Sequence, residues 1–273
     1  VSSLRPASSA ADFYIDSVAG NDSANGTTTA TAWKSINKVT SLFTGTSPCK
    51  PGTVIHLKRG SVWKNQAIYI PNGVGTANAP IVIEDYGDGD LPTIDQPAAV
   101  WDANTPYTGV MIEGTSSYLT LLSLRVQNCP AWSGFAFGQN TDHVTVAGCE
   151  ILHCGSGISV DGHDQRILSN RIRDIGSSGA SGASGIGIGF IGSNHEFAWN
   201  QISQCWFNTT PGPNVITPDG GAFEYYGRRV SGGRGFGCPL NAEAHSSHPF
   251  LTGPAGWCPK KRAARRRRRH GDD

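Results

Sequence analysis

Hydrophobic and polar positions along the chain repeat in a nine-residue pattern that occurs four times. The first position is always large and apolar, the sixth is always β-branched, and the ninth is Cys or Ile, whereas the fifth, seventh and eighth are mostly polar. Such patterns predict short strands that bury one face. The four copies are LLSLRVQNC (121–129), VAGCEILHC (146–154), ILSNRIRDI (167–175) and FAWNQISQC (197–205).

Each copy is followed by a second short strand pattern, and the spacing between the copies varies. The copies start 25, 21 and 30 residues apart, so insertions fall in turns while the strand cores are kept. This is typical of a parallel β-helix, in which each coil stacks on the preceding one and like residues form ladders. The second strands are predicted at 134–138, 157–162, 185–190 and 222–227.

With these repeats, the chain resembles the right-handed parallel β-helix proteins of the pectate-lyase-like superfamily. Four segments near its beginning are also similar to those of secreted members, namely 13–27, 31–36, 51–60 and 79–87, and the resemblance covers about residues 12–227. It implies an all-β, single-stranded right-handed solenoid that acts on a polysaccharide and is secreted or held at the cell surface. Because the superfamily contains lyases, hydrolases, epimerases and binding proteins, the fold alone does not name the reaction.

Composition and charge divide the chain. Thirty-five glycines, 16 prolines and a single methionine fit a β-rich protein with many turns. Residues 1–230 carry a net charge of −5 and residues 231–273 carry +6. We therefore expect an N-terminal leader remnant (1–11), a β-helix domain (12–230) and a basic, disordered tail (231–273). A β-helix that stops near Gly227 leaves its last coil open, so we also expect a truncated or altered form of a longer solenoid.

The partners that the sequence predicts follow from these features. No apolar run approaches the roughly 18 residues of a membrane span, so no membrane span is expected. The arginine run of the tail is interpreted as part of a disordered appendage rather than a nucleic-acid patch. The expected partner is a polysaccharide substrate, bound by a monomer.

Cysteines and acidic residues offer two further candidate chemistries. The ninth repeat position holds Cys129, Cys154 and Cys205 alongside Ile175, which favours reduced thiols in the core, with a Cys129–Cys154 disulfide as the alternative. A run of five acids suggests either a Ca²⁺ site or a solvated turn, and we favour the turn. These acids are Glu84, Asp85, Asp88, Asp90 and Asp95. At the fifth position, Glu150 between Arg125 and Arg171 predicts an ion-pair stack.

The stretch SGIGIGFIG (184–192) predicts a strand with one bare face. If Ile186 and Ile188 point inward, Gly187 and Gly189 face outward and leave room for a sugar ring. The predicted outward ladders are Ala136–Ser159–Gly187–Glu224 and Gly138–Asp161–Gly189–Tyr226. Long insertions on a rigid scaffold often carry binding sites, and two of them flank this glycine floor, at 177–185 and 208–220.

The acids beside the glycine floor are the predicted catalytic groups. Two coils of separation would put the backbones of Asp161 and Glu224 about 9–10 Å apart, near the upper end of the about 6.5–9.5 Å carboxylate spacing of inverting glycosidases. The predicted catalytic residues are Asp161, Glu224, His163 and Tyr226, and the predicted substrate-binding residues are Gly187, Gly189, Ser159, Asp164 and Asp219.

Three functions remain open from the sequence. A lyase acting on a uronate-containing polysaccharide is preferred, with His163, Tyr226 or an arginine as base and Ca²⁺ or an arginine neutralising the uronate carboxylate. An inverting hydrolase would use Asp161 and Glu224 as acid and base. A non-catalytic module would only bind glycan. No cofactor other than Ca²⁺ is suggested.

Overall fold

The computed structural model describes residues 9–44, 49–97, 108–130, 132–176, 185–205 and 222–225. The described strands form three parallel sheets, and consecutive strands of the chain alternate between them. This confirms the predicted parallel β-helix. Most of the predicted leader and the whole predicted tail lie outside the described residues. Within them, no helix is long and apolar enough to cross a membrane.

The bounds of the elements show three sides to each coil. Sheet 1 contains β1 (Ala11–Ile15), β2 (Thr53–Lys58), β5 (Ile81–Tyr86), β8 (Ser117–Leu122), β11 (Asp142–Ala147), β14 (Arg166–Leu168) and β17 (Glu196–Ala198). Sheet 2 contains β3 (Val62–Lys64), β6 (Thr93–Asp95), β9 (Arg125–Gln127), β12 (Glu150–Leu152), β15 (Arg171–Ile175) and β18 (Gln201–Cys205). Sheet 3 contains β4 (Ile68–Ile70), β7 (Val110–Ile112), β10 (Ser133–Phe137), β13 (Ser156–Val160), β16 (Ile188–Phe190) and β19 (Phe223–Tyr225). A 3-10 turn (Thr29–Thr31) and helix α1 (Asn37–Thr44) connect β1 to β2.

The core consists of the ladders that the repeat predicts. First-position residues pair in register from Leu121 through Val146 and Ile167 to Phe197. Sixth-position residues pair from Val126 through Ile151 and Ile172 to Ile202. Except for Phe197, which is partly buried, these side chains are at most 5% exposed. Full burial of an apolar side chain contributes about 1.5–3 kcal/mol, so the repeated ladders stabilise the stack of coils.

The five described cysteines are free thiols. Cys129 and Cys154 are fully buried in adjacent coils, and Ile175 pairs with Cys205 in the same ladder. Burial raises the pKa of Cys149 to about 12 and that of Cys205 to about 11. The thiols therefore behave as small apolar core residues, as the sequence predicted.

The predicted outward position of Gly187 is wrong. A Cβ atom at Gly187 would lie 2.5 Å from Ile202 Cγ2 and 3.3 Å from Cys205 Sγ, which are side chains of the core. Gly134 and Gly157 meet Ile151 and Ile172 in the same way, at 2.6 and 2.7 Å. Glycine is needed where the backbone turns from sheet 2 into sheet 3 because the chain passes directly over the sixth-position ladder.

The register of the glycine strand differs from the prediction by two residues. Ser159 pairs with Gly189 rather than with Gly187, and Gly189 pairs with Glu224. The observed outward ladder is therefore Ala136–Ser159–Gly189–Glu224. Since Val160 pairs with Phe190, Asp161 is level with Ile191, so the predicted Asp161–Gly189 ladder is also wrong.

The acidic residues of sheets 1 and 2 have separate partners. Glu150 binds Arg125 Nε at 2.7 Å, as predicted, but its second arginine is Arg173, at 3.6 Å, rather than Arg171.

Within the acidic run, Glu84 contacts His56, Asp85 pairs with Arg59, and Asp95 accepts a hydrogen bond from Asn128. Glu84 and Asp95 are buried, so this run is neither a carboxylate cage for Ca²⁺ nor wholly a solvated turn.

Candidate functional site

Ionisable side chains collect where the chain turns from sheet 3 into sheet 1. Four successive coils make this turn through one non-glycine residue with positive φ: 51° at Tyr118, 51° at His143, 53° at Asp164 and 62° at Asn194. We call these four residues the histidine corner. Parallel bridges join Asp142 to His163 and His163 to Ser193 just before it. Because coils stack about 4.8 Å apart, polar groups from successive coils are brought within reach of one another.

Asp142 and His143 form a carboxylate–imidazole pair. Asp142 Oδ1 lies 2.7 Å from His143 Nδ1, and the two side chains are 44% and 42% exposed. A carboxylate can only accept, so Nδ1 of the neutral imidazole carries the proton and Nε2 presents its lone pair. Tyr118 stacks on the ring at 4.4 Å, which further fixes its plane. This arrangement suits a general base.

A cleft of about 210 Å³ on the outer face of sheet 1 contains this imidazole. Arg166 lines the same cleft and donates from Nε to Glu196 Oε2 at 2.7 Å. No other hydrogen bond of its guanidinium is found within the described part of the chain. The lining residues are Ala77, Pro80, Tyr118, Thr120, His143, Thr145 and Arg166. The cleft thus combines a base with a cation.

Three of the predicted site residues lie at or beside the histidine corner. His163 Nδ1 is 3.0 Å from Ser193 Oγ. Asp164 offers a carboxylate oxygen within 4.8 Å of the ligand atoms of Asp142 and His143. Asp161 accepts a hydrogen bond from the Gly162 amide at 2.8 Å.

The other predicted residues do not join this group. Ser159, Gly189 and Glu224 lie on the outer face of sheet 3, and Gly187 packs against the core. Tyr226 and Asp219 lie outside the described residues. Ser159 and Glu224 are level in the structure, as in the predicted ladder, so Asp161 and Glu224 are two coils and two residues apart, or about 12 Å between backbones. The predicted spacing of about 9–10 Å counted the two coils without this offset, and the wider separation is less favourable for an inverting acid/base pair.

A further histidine near the corner has a structural role. His195 Nε2 lies 2.9 Å from the carbonyl oxygen of Ile191, and its Nδ1 accepts from the Gln165 amide at 3.3 Å. Burial lowers the pKa of His195, with a smaller contribution from His163. Both ring nitrogens are satisfied in the neutral form, so this residue holds the turn rather than exchanging protons.

The prediction from sequence missed Asp142, His143 and Tyr118. Each member of the histidine corner stands three residues before the first position of a repeat, at Leu121, Val146, Ile167 or Phe197. The four members share no residue type, so their common position was the only available signal. Extending the repeat alignment by three residues would have placed Tyr118, His143, Asp164 and Asn194 in one column.

One group in the described ranges has the donor set for a metal ion. Asp142, His143 and Asp164 each offer a ligand atom, and these atoms lie within 4.8 Å of one another. Ca²⁺ takes six to eight oxygen ligands, whereas an imidazole with carboxylates suits first-row transition metals. The donors therefore fit Ca²⁺ poorly.

A second imidazole, that of His56 in β2, is held by carboxylates of the neighbouring strands β1 and β5. His56 Nε2 lies 2.9 Å from Asp12 Oδ1 and its Nδ1 lies 3.2 Å from Glu84 Oε1. Its ring stacks on Tyr14 at 4.6 Å. Glu84 is 2% exposed. Ionised carboxylates only accept, so beside two of them both ring nitrogens donate, as they do in the imidazolium form.

Comparison with known proteins shows to which family the chain belongs. A lacto-N-biosidase of Bifidobacterium longum subsp. longum is 37% identical over 83 residues, which are 30% of this chain and 5% of that protein. The structure of a pectate lyase has 16% identity and a TM-score of 0.56, covering 75% of this chain and 50% of that chain. A rhamnogalacturonan lyase has 16% identity and a TM-score of 0.55, covering 81% of this chain and 64% of that chain.

The chain therefore spans a small part of the curated relative and about half to two thirds of these solved structures. At 16% identity the two structures show a shared fold. The family model described as a right handed beta helix region matches residues 86–234, more than half of the chain. The chain belongs to this right-handed β-helix family.

Proposed function

We propose that this β-helix belongs to a lyase that cleaves a uronate-containing polysaccharide in the sheet 1 cleft. The observation that carries the proposal is that one cleft is lined by both the His143 imidazole and the Arg166 guanidinium. A uronate lyase needs one group of each kind, namely a base for the proton next to the carboxylate and a cation for the carboxylate itself. The proposal moves the site from the outer face of sheet 3 to the histidine corner and the adjacent cleft.

The cleft residues have separate roles in this reaction. Arg166 binds the uronate carboxylate and stabilises the negative charge that develops on it. His143 Nε2 removes the proton from the carbon next to the carboxylate, while Asp142 stabilises the imidazolium that forms. The electrons of that C–H bond form a carbon–carbon double bond as the bond to the glycosidic oxygen breaks. The departing oxygen takes a proton from water in the open cleft.

Asp164 and His163 extend the site toward the next coil. Asp164 lies close to Asp142 and His143, so its carboxylate favours the imidazolium after proton transfer. His163 is exposed and held by Ser193, a position from which it can bind a hydroxyl of a neighbouring sugar. A substrate of this kind is extracellular, which supports a secreted or cell-surface location for the whole protein.

The test is a panel of uronate and neutral polysaccharides, assayed for both reducing ends and the ultraviolet absorbance of unsaturated uronate. A lyase releases both signals together. His143→Gln should reduce turnover on the active substrate by about 10²-fold or more, because the base is lost. His153→Gln is the matched control, since His153 is also exposed and faces an aspartate, Asp174, at 3.8 Å. Equal activity of the His143 variant and wild type would overturn the proposal.

A glycoside hydrolase is the second candidate, and two observations favour it. The curated relative at 37% identity is a lacto-N-biosidase. The carboxylates of Asp142 and Asp164 approach within 4.8 Å, which is closer to the about 5–5.5 Å of retaining glycosidases than to the inverting spacing. Reducing ends without ultraviolet absorbance would identify this reaction. Polysaccharide binding without either product would identify a non-catalytic module.

A further inference from the structure

A second corner of the solenoid carries an aromatic side chain that the fold does not use. Where sheet 1 turns into sheet 2, the same four coils each have one residue with positive φ: 54° at Ser123, 64° at Gly148, 54° at Ser169 and 56° at Trp199. We call these four residues the tryptophan corner. Backbone hydrogen bonds link successive members through Ala147, Leu168 and Ala198. The corner is therefore one repeated structural position.

Nothing in the described coils requires an indole at this position. Serine or glycine suffices in the three preceding coils, and a bulky residue is disfavoured at positive φ. Trp199 is nevertheless 73% exposed, the most exposed of the described large hydrophobic residues after Val18. Its side chain has no hydrogen bond or ring contact within the described part of the chain. The tryptophan thus has a conformational cost without a packing gain.

Trp199 lies at the end of a strand that also contacts the sheet 1 cleft. It directly follows β17, and Glu196, the first residue of that strand, holds the cleft residue Arg166. Three residues of extended chain place Trp199 about 10 Å from Glu196 along the strand direction. A short run of linked sugar rings spans that distance. A glycan chain lying in the cleft and running along sheet 1 toward sheet 2 would reach the indole.

We propose that Trp199 is a stacking platform for a pyranose ring, forming an outlying subsite of the polysaccharide site. An exposed indole offers a flat apolar face with a polar edge, which matches a sugar ring that has C–H groups on its faces and hydroxyls at its rim. The platform carries no charge, so it accepts neutral and acidic sugars alike and leaves charge selection to Arg166. The inference rests on the proposed polysaccharide function for its ligand.

The test compares four forms of the full chain: wild type, Trp199→Ser, Trp199→Tyr and Ile191→Ser. Serine is the residue of two preceding coils, so Trp199→Ser should keep the thermal unfolding midpoint of wild type or raise it. Ile191 is 42% exposed in the turn between β16 and β17 and serves as the matched apolar control. Binding is measured by retardation in gels that contain polygalacturonate, and by titration with its short and long oligosaccharides.

Trp199→Ser should weaken binding of the long oligosaccharides by about 10-fold and leave the shortest one that binds unaffected. Trp199→Tyr should retain most of the affinity, and Ile191→Ser all of it. Wild-type affinity in Trp199→Ser, or a large loss of its thermal stability, would overturn the platform while leaving the cleft proposal intact. If wild type itself is not retarded by polygalacturonate, the uronate function fails, and with it this inference.

Discussion

At the scale of single residues, the structure separates three uses of histidine that the sequence does not distinguish. His143 has a carboxylate on one nitrogen and is exposed, which leaves the other nitrogen for chemistry. His195 has both nitrogens satisfied in the neutral form. His56 has a carboxylate on each nitrogen, which favours its charged form. The difference depends on which residues the neighbouring coils place beside each ring.

The interactions of His56 with Asp12 and Glu84 predict that the stability of the folded protein depends on pH. Burial lowers the pKa of His56, but hydrogen bonds and charge interactions with Glu84 and Asp12 outweigh it and raise the pKa above 6.5. A group with a raised folded-state pKa stabilises the protein fully below its unfolded value, and this contribution is lost as pH rises through the folded value. The groups facing the imidazole are Asp12 and Tyr14 of β1 and Glu84 and Tyr86 of β5.

Hydrogen exchange of the β1 amides, followed from mildly acidic to alkaline pH, checks this prediction. Protection of β1 relative to β11 should fall as pH rises through the His56 titration. In His56→Gln this pH dependence should disappear, whereas His153→Gln should behave as wild type. An unchanged pH dependence in the His56 variant would show that another group controls the strand.

At the scale of elements, the four copies of the nine-residue pattern and the core ladders were predictable, because buried positions repeat the same types of apolar residue. The register of β16 was not. In SGIGIGFIG the glycines and isoleucines alternate, so a shift by two residues leaves the apolar face unchanged, and the pattern alone cannot choose between the two registers. The choice is made by Gly187, since only glycine can pass over Ile202 and Cys205.

Replacing this corner glycine should damage the fold. In Gly187→Ala the new Cβ would lie 2.5 Å from Ile202 Cγ2 and 2.7 Å from the carbonyl oxygen of Ala222, and overpacking of this kind costs about 1–3 kcal/mol. Gly138→Ala is the control, because its nearest neighbour would be at 3.4 Å, an ordinary contact. Urea unfolding measures both variants. Equal stability of the two would mean that Gly187 does not set the register.

At the scale of the whole molecule, the solenoid brings residues that are 20 to 30 positions apart in sequence onto one surface. Asp142 belongs to one coil and Asp164 and Arg166 belong to the next, yet Asp142 and Asp164 approach within 4.8 Å and Arg166 shares the cleft with His143. The sequence indicated Asp161, His163 and Asp164 because they follow a recognisable strand. It could not indicate the cleft, because Tyr118, His143 and Arg166 converge only after the coils have stacked in register.

The central claim is that Arg166 neutralises a uronate carboxylate while His143 removes the adjacent proton. The most direct measurement compares kcat/KM of wild type and Arg166→Gln on polygalacturonate and on its fully methyl-esterified form. A charge-assisted contact predicts a loss of about 10–100-fold on the acidic polymer and a much smaller loss on the uncharged ester. Equal losses on the two substrates, or no loss on either, would contradict the account.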